Sequence, residues 1–266
     1  AFDLPAAAIA YRREPSAIID LKDIYYPITA GELKKYRWLG RKTAEVLEQV
    51  ARVVRPGMTE RDVQYLLARE FWYWDIFPTV ILSAVDDRFQ TYKHPVVTGK
   101  ELRSYVALNV CTRRWGLTVS TTRLVHFGEP PAALKKAWED GPKVAAAMWA
   151  ASRPGNTLGD VVRAAQEAYA RVGHPNEWKL HHQGGMILTL ERLYLAPPDD
   201  RTAIIPGMVL AWNPTLQGAK FEDTVVVKPD GTLENLTASR NWPTVSVTVG
   251  ERKFEVPGLL IRPKPE

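Results

Sequence analysis

The segment RPGMTERDV, residues 55–63, returns later in the chain as RPGNTLGDV, residues 153–161. Both copies share the pattern R-P-G-x-T-x-x-D-V and both follow an apolar, helix-like stretch, at a separation of 153 − 55 = 98 residues. A threonine three residues before an acidic residue is typical of a helix start, because the two side chains cap each other's backbone. The same spacing at Thr29 and Glu32 predicts an earlier helix. The repeat predicts two similar halves around a pseudo-twofold axis.

Similar strand-like segments follow the two copies. YVALNVCTRRWGLTVSTTRLV, from Tyr105, and MVLAWNPTLQGAKFEDTVVV, from Met208, both have the pattern of strand, turn and strand. Asn109 and Asn213 occupy equivalent places, 213 − 109 = 104 residues apart. We therefore predict an α+β fold with two helix–helix–hairpin halves around one curved, mainly antiparallel sheet. A site built between the halves lies where the two hairpins converge.

The composition limits the classes of function. With 266 residues, of which 45% are hydrophobic, the chain can bury a sizeable core. The net charge is +5, but the basic residues are scattered, which argues against nucleic-acid binding. No apolar stretch approaches the roughly 18 residues of a membrane span, so no membrane partner is expected. Cys111 is the single cysteine, which excludes an internal disulfide and suits a cytoplasmic location.

The chain divides into two parts of unequal size. Residues 1–28 are irregular and dotted with prolines, and we interpret them as a possible remnant of an N-terminal domain. Residues 29–266 form the main domain. The chain opens with Ala1 and not with methionine, so we expect that a segment upstream was removed.

From about Thr29 to Thr237 the pattern resembles the pita-bread fold, the family of methionine aminopeptidase, aminopeptidase P, prolidase and creatinase. Two motifs contribute most to the resemblance: the turn Pro-Gly-Met at residues 206–208 and the strand Glu-Asp-Thr at residues 222–224. The resemblance implies five metal-ligand positions, two aspartates, one histidine and two glutamates. In this sequence those positions are Asn109, Ser120, His182, Asn213 and Glu222.

Three of the five implied ligands are therefore neutral residues that coordinate divalent ions poorly. Two dications in a desolvated site need several carboxylates to offset their charge, and only Glu222 remains. We predict no metal cofactor. The alternative is one divalent metal at His182 and Glu222 with a neighbour such as His181. Adjacent histidines on an extended strand point to opposite faces, so His181 and His182 are not expected to reach one ion together.

The same resemblance includes a precedent without metal, since creatinase hydrolyses a C–N bond with a histidine as acid and base. By position, His182 is the candidate for that role, because an imidazole with a pKa of about 6.5 exchanges protons near neutrality. Glu222 is predicted to orient it or to hold a water. His94 is a second candidate, with a turn histidine before Pro95 as the alternative. Paired glycines after His182 favour a ligand site over a core histidine.

Further residues are predicted to line the substrate site. Asn109 and Asn213 each offer a donor and an acceptor, and they either hold a polar substrate group or satisfy each other. Arg123 either anchors an anion or supports Glu222, and Trp212 forms a pocket wall or simply packs in the core. Ser120, His181, Glu191 and Arg192 complete the set of candidate pocket residues.

The sequence thus predicts a metal-independent hydrolase or lyase that acts on a C–N bond of a small polar nitrogenous substrate or a short peptide. One alternative is a catalytically inactive, peptide-binding pita-bread module. Another is an Xaa-Pro-type metallopeptidase with a degenerate single-metal site. The resemblance also implies a homodimer.

Overall fold

Threonine side chains cap three helices of the domain. The computed structural model describes residues 26–189 and 193–264. Thr29, Thr59 and Thr157 each accept a hydrogen bond from the backbone N–H three residues on, and the acidic side chain at that position accepts one from the threonine N–H. These reciprocal caps fix the start of each helix, and they confirm the helix starts predicted for Thr29 and Thr59.

Some predictions fall outside the described residues. These are the predictions for Glu191 and Arg192 and for most of the segment 1–28, of which only Tyr26, Pro27 and Ile28 are described. Tyr26 is buried and donates a hydrogen bond from its hydroxyl to the carbonyl of Ile187 at 2.6 Å. The end of this segment is therefore attached to the second half of the domain.

Each half contributes one long pair of helices, which pack against the sheets. The helices are, in chain order, α1 (Ala30–Val53), α2 (Glu60–Tyr73), α3 (Asp87–Thr91), α4 (Ala132–Ala151) and α5 (Leu158–Arg171), with a 3-10 turn at Glu177–Leu180.

The strands are short in the second half and long in the first. They are β1 (Phe77–Ile81), β2 (Ala84–Val85), β3 (Tyr105–Arg114), β4 (Leu117–Phe127), β5 (Gly184–Met186), β6 (Tyr194–Leu195), β7 (Val209–Trp212), β8 (Thr215–Leu216), β9 (Ala219–Lys220), β10 (Asp223–Val227), β11 (Leu233–Asn235), β12 (Thr244–Val249), β13 (Arg252–Pro257) and β14 (Leu260–Arg262). Both predicted strand–turn–strand segments are confirmed.

The strands form two main sheets instead of the single shared sheet that the sequence predicted. One has the order β1-β3-β4-β14 with β2 also on β3, and the other has the order β11-β10-β7-β5-β6. The α+β fold itself is confirmed. The sheets meet where β4 lies beside β10: the Thr122 N–H donates to the Glu222 carbonyl at 3.0 Å, and the Ser120 N–H donates to the Thr224 hydroxyl at 2.8 Å. A side-chain hydroxyl takes the place of a backbone acceptor here, so the ladder is interrupted.

Helix α4 determines which face of the second sheet is buried against helices. Gly141 lies on α4 directly over Phe221, and a Cβ at that position would lie 1.9 Å from the Phe221 ring. The Trp212 indole donates to the Ser152 hydroxyl at the end of the same helix, at 2.8 Å. Trp212 and Phe221 therefore point toward α4, and the residues that alternate with them point away from it.

The C-terminal strands pack on this framework. The β12–β13 hairpin contacts α4, where the Phe254 ring lies 6.4 Å from that of Trp149. Strand β14 runs parallel to the end of β4, with Ile261 opposite His126. In the part of the chain that the structure describes, no helix has the length and apolarity that crossing a membrane requires.

Candidate active site

One face of the β3–β4 hairpin presents buried polar side chains. Asn109 lies opposite Thr122, and Cys111 lies opposite Ser120. Residues two apart on a strand share a face, so these four side chains lie together. The Cys111 sulfur and the Ser120 hydroxyl oxygen are 3.1 Å apart. The structure thus brings two of the predicted site residues, Asn109 and Ser120, to one surface.

A second polar face belongs to the segment that joins β7 to β10. Thr215 lies opposite Lys220 where β8 pairs with β9. The side chains of Lys220 and Glu222 meet in an ion pair, so Glu222 lies on the same face as Lys220, and Asn213 stands two residues before Thr215. All four residues are buried. This face points away from α4.

The Glu222 carboxylate joins the two polar faces. Its Oε2 atom accepts hydrogen bonds from Asn109 Nδ2 at 2.6 Å and from the Thr122 hydroxyl at 2.7 Å. The Lys220 Nζ atom lies 3.1 Å from the same oxygen, and both members of this ion pair have side chains no more than 3% exposed. Among the residues that the structure describes, three donors hold Glu222, and one of them is cationic. Such multiple bonding is what a buried carboxylate requires.

The sequence interpretation missed Lys220. A signal was present, because Lys220 stands two residues before Glu222 in a strand-forming segment, and that spacing places both side chains on one face. A lysine in an otherwise apolar strand pattern is rarely buried without a partner. The pairing of Lys220 with Glu222 could have been inferred on those grounds.

Three histidines form a cluster beside this ion pair. One ligand-type nitrogen from each of His94, His181 and His182 lies within 4.8 Å of the others. The Nε2 atoms of His94 and His181 are 3.2 Å apart, at hydrogen-bonding distance. His181 is buried, His182 is half-buried and His94 is exposed. The cluster therefore extends from solvent to the buried polar faces.

The prediction that His181 and His182 point to opposite faces is wrong. Their ring centroids are 4.4 Å apart with 26° between the planes, so the imidazoles stack. The two residues lie between the 3-10 turn and β5, and the chain bends at His181. Strand alternation does not apply to residues outside a strand, which explains the error.

The paired glycines after the histidines allow neighbouring backbone segments to pack closely. Gly184 has φ +104°, and a Cβ there would lie 2.1 Å from the carbonyl oxygen of Ala211. A Cβ on Gly185 would lie 2.1 Å from the carbonyl oxygen of Tyr194. Close strand packing explains these glycines, so they do not support the prediction of a ligand beside them.

Burial and neighbouring charge keep His181 neutral. Desolvation is the largest cause that lowers its pKa, to about 2, and the positive charge of Lys220 is the next. His182 and His94 lower the pKa further, while Glu222 opposes the shift. An imidazole with so low a pKa stays neutral near pH 7 and is a poor proton acceptor there.

This pKa predicts a loss of stability in mild acid. The unfolded state binds a proton at His181 below pH about 6.5, whereas the folded state does not until near pH 2, so the stability present above pH 6.5 is lost as pH falls. We expect the free energy of unfolding to fall by about 2 kcal/mol between pH 7 and pH 5 from this residue alone. Urea unfolding at several pH values measures the slope.

Matched variants test whether His181 causes this pH dependence of the free energy of unfolding. His181→Asn should flatten it, whereas His174→Asn, which changes an exposed histidine, should leave it unchanged. Equal slopes in the parent and the His181→Asn variant would show that His181 is not the neutral histidine responsible.

Two predicted substrate-binding residues have structural positions instead. Arg123 is buried in an ion pair with Asp223 at 2.9 Å. Its guanidinium also donates hydrogen bonds to the hydroxyls of Thr121 and Ser239 and to the backbone carbonyls of Thr122 and Thr237. Its guanidinium is fully used, so it does not anchor a substrate anion. Trp212 faces α4 and is not a pocket wall.

Asn109 and Asn213 do not pair with each other. Asn109 donates to Glu222, while both side-chain polar atoms of Asn213 are buried and, among the described residues, have no hydrogen-bond partner. The Thr215 hydroxyl is also buried and, among the described residues, has no hydrogen-bond partner. Buried polar groups are nearly always bonded, so Asn213 and Thr215 are suited to a polar group of a ligand.

The residues present do not fit a two-metal centre. Three of the five implied ligand positions are neutral, and the remaining carboxylate, on Glu222, is already bound to the Lys220 ammonium. A dication about 5 Å from that ammonium would be repelled by roughly 7 kcal/mol at an effective dielectric constant of 20.

The histidine cluster fits a single metal in part. Two nitrogens on a tetrahedral zinc ion are about 3.3 Å apart, close to the 3.2 Å between His94 and His181. The three rings lie only 21° to 29° from parallel, however. A metal lies in the plane of each imidazole that binds it, so the rings would have to rotate before they converged on one ion.

Comparison with known proteins gives similarities in sequence and in structure. A family model described as metallopeptidase family M24 matches residues 34–229. The probable dipeptidase PepE of Mycobacterium bovis is 26% identical over 212 residues, which cover 76% of this chain and 56% of that protein. The probable dipeptidase PepE of Mycobacterium tuberculosis matches to the same extent. The chain thus spans little more than half the length of these curated relatives.

Solved structures share the fold. The X-Pro aminopeptidase of Thermotoga maritima has a TM-score of 0.74 at 16% identity, over 91% of this chain and 66% of that one. Dipeptidase PepE of Mycobacterium ulcerans has a TM-score of 0.75 at 18% identity, over 91% and 63%. Methionine aminopeptidase of Rickettsia prowazekii has a TM-score of 0.66 at 18% identity, over 79% and 98%.

Proposed function

Because the chain belongs to metallopeptidase family M24, we propose that it is a hydrolase of the C–N bond in a small polar nitrogenous substrate or short peptide. We further propose that it works without the two-metal centre of its family. Relatives named as dipeptidases favour a peptide-like substrate.

The observation that supports this proposal is the buried ion pair at the centre of the site. Glu222 keeps the family position of a metal-ligating acid, but its partner is the ammonium of Lys220 at 3.1 Å. The charges of this carboxylate and this ammonium offset each other, so the pair itself needs no metal ion to balance its charge. The histidines beside it supply groups that exchange protons.

The proposed reaction uses these side chains directly. Water adds to the carbonyl carbon of the C–N bond and gives its proton to the imidazole of His182. The tetrahedral intermediate then collapses, the C–N bond breaks, and the imidazolium returns the proton to the leaving nitrogen. Asn213 and Thr215 are placed to bind polar groups of the substrate, and exposed His94 connects the cluster with solvent.

A second candidate is a hydrolase with one metal ion on the histidine cluster. The observation that favours it is the convergence of three histidine nitrogens within 4.8 Å. Neutral imidazoles are common ligands of zinc. The charge of Lys220 argues against this candidate, because the ammonium that lowers the pKa of His181 also repels a metal ion.

The first experiment measures metal content and hydrolysis in the same preparations. We expect the purified protein to retain under about 0.1 equivalent of manganese, cobalt or zinc after incubation and dialysis, since it lacks the ligands. It should cleave members of a panel of dipeptides, small amides and amidines at rates that a chelator does not change. Product analysis separates hydrolysis, which yields an acid and an amine, from elimination, which yields an alkene.

A variant that restores the family ligands controls the assay. Asn109→Asp, Ser120→Asp and Asn213→Glu together with Lys220→Met should bind metal, which shows that the measurement detects a filled site. Stoichiometric metal in the parent, with activity lost to the chelator, would favour the single-metal candidate. Absence of turnover with tight binding of peptides would favour an inactive peptide-binding module.

A further inference from the structure

The Lys220–Glu222 ion pair is buried, so water does not solvate its charges. Lys220 is 4% exposed and Glu222 is 2% exposed. A carboxylate at such a depth needs a cation or several donors, and the loss of its cation would leave a costly unpaired charge. Asn109 and Thr122 add neutral donors to the same oxygen, and Lys220 brings positive charge to it at 3.1 Å.

The local chain geometry fixes the ammonium in this place. Lys220 is the last residue of β9, paired with Thr215, and Glu222 stands just before β10. Between them, Phe221 is anchored on the opposite face by Gly141 and by the Trp138 ring at 4.8 Å. Because Phe221 is held against α4, its two neighbours must both point into the polar site. The lysine is built into the site and does not reach it from outside.

The histidine segment lies beside the strand that carries this ammonium. The Tyr169 hydroxyl lies 3.2 Å from the side-chain oxygen of Gln183, which follows the histidines, and 3.0 Å from the Thr215 carbonyl. Thr215 is the residue opposite Lys220. Lys220 is also the strongest of the charges that lower the pKa of His181. Removal of that ammonium would leave three imidazoles and one carboxylate in this part of the site. Three histidines and one glutamate are a ligand set that zinc accepts.

We infer that Lys220 is a tethered cation that takes the place of a metal ion at Glu222, and that its ammonium prevents a divalent ion from binding between Glu222 and the three histidines. This inference goes beyond the proposed hydrolase, because it concerns metal binding and holds whether or not the protein turns over a substrate.

The test is metal uptake by Lys220→Met beside three comparisons: the parent, Lys228→Met and the double variant Lys220→Met/Glu222→Gln. Lys228 is a control lysine with a 41% exposed side chain, paired with Asp230 at 3.5 Å. Each protein is incubated with zinc or manganese, dialysed and analysed by mass spectrometry. Thermal unfolding with and without the metal provides a second measurement.

We expect Lys220→Met to retain about one equivalent of zinc and to unfold at a higher temperature with it. The parent, Lys228→Met and the double variant should retain about a tenth of that or less. Uptake by the double variant equal to that of Lys220→Met would overturn the inference, because the metal would then not depend on Glu222. Uptake by the parent, or none by Lys220→Met, would overturn it too.

A folding defect does not remove the test. If Lys220→Met is insoluble, it is refolded from denaturant with zinc or with chelator. Recovery only in the presence of zinc supports the inference, and any other result contradicts it. These measurements contain no substrate, so the hydrolase proposal can fail while the inference holds, and the reverse is also possible.

Discussion

Replacing His182 by alanine is expected to reduce the rate of C–N hydrolysis by about 10²- to 10⁴-fold, the usual contribution of a general acid–base group. The proposed reaction needs one imidazole that takes a proton from water and returns it to the leaving nitrogen. His182 has the family position of the histidine, and its ring stacks on those of His181 at 4.4 Å and His94 at 5.5 Å. Because His182 is only half-buried, its truncation should cost little of the free energy of unfolding.

The measurement is kcat and KM for a substrate identified in the panel, with urea unfolding of the same preparations. His174→Ala is the matched control, since it removes an exposed histidine that is not part of the cluster. A drop in kcat with little change in KM is expected for a group that acts in the transition state. If His182→Ala retains activity within threefold of the parent while His181→Ala does not, the proton-transfer role belongs to His181.

The fold could be predicted because it repeats a local signal. The two R-P-G-x-T-x-x-D-V segments each contain a cap, and Thr59 and Thr157 form the same reciprocal bonds with the aspartate three residues on. Caps and strand alternation are properties of neighbouring residues, so they can be inferred from sequence. The division into two sheets depends on the hydroxyl of Thr224, which bonds Ser120 across 104 residues, and no local pattern indicates that contact.

The candidate site could be predicted by position but only partly by interaction. Asn109, Ser120 and Glu222 lie on the two polar faces, as the motif spacing indicated, and Asn213 is buried two residues before Thr215. The stacking of His181 on His182 was missed because it depends on a bend in the chain between two elements. Lys220 was missed because the inherited motif has no place for it. Departures from a family pattern thus include residues that are gained as well as residues that are lost.

Arg123→Met is expected to lower the free energy of unfolding by about 3–5 kcal/mol, the typical result when one partner of a buried ion pair is removed. Arg123 is 1% exposed and its Nη2 atom lies 2.9 Å from Asp223 Oδ1. The guanidinium also donates to the carbonyls of Thr122 and Thr237. It therefore joins β4 to the segment after β11, and the variant leaves the Asp223 charge and two carbonyls without this donor.

A double variant separates the cost of the stranded charge from the cost of lost packing. Arg123→Met/Asp223→Asn removes both charges, so it should recover a large part of the stability that Arg123→Met alone loses, as measured by urea unfolding. Arg123→Lys keeps the charge but loses the planar fork, and we expect an intermediate loss. Additive losses in the double variant, or a loss under about 1 kcal/mol in Arg123→Met, would mean that the ion pair does not hold β4 against β10. Arg123 would then again be a candidate for the anion-binding role that its sequence position suggested, because its guanidinium would not be committed to Asp223.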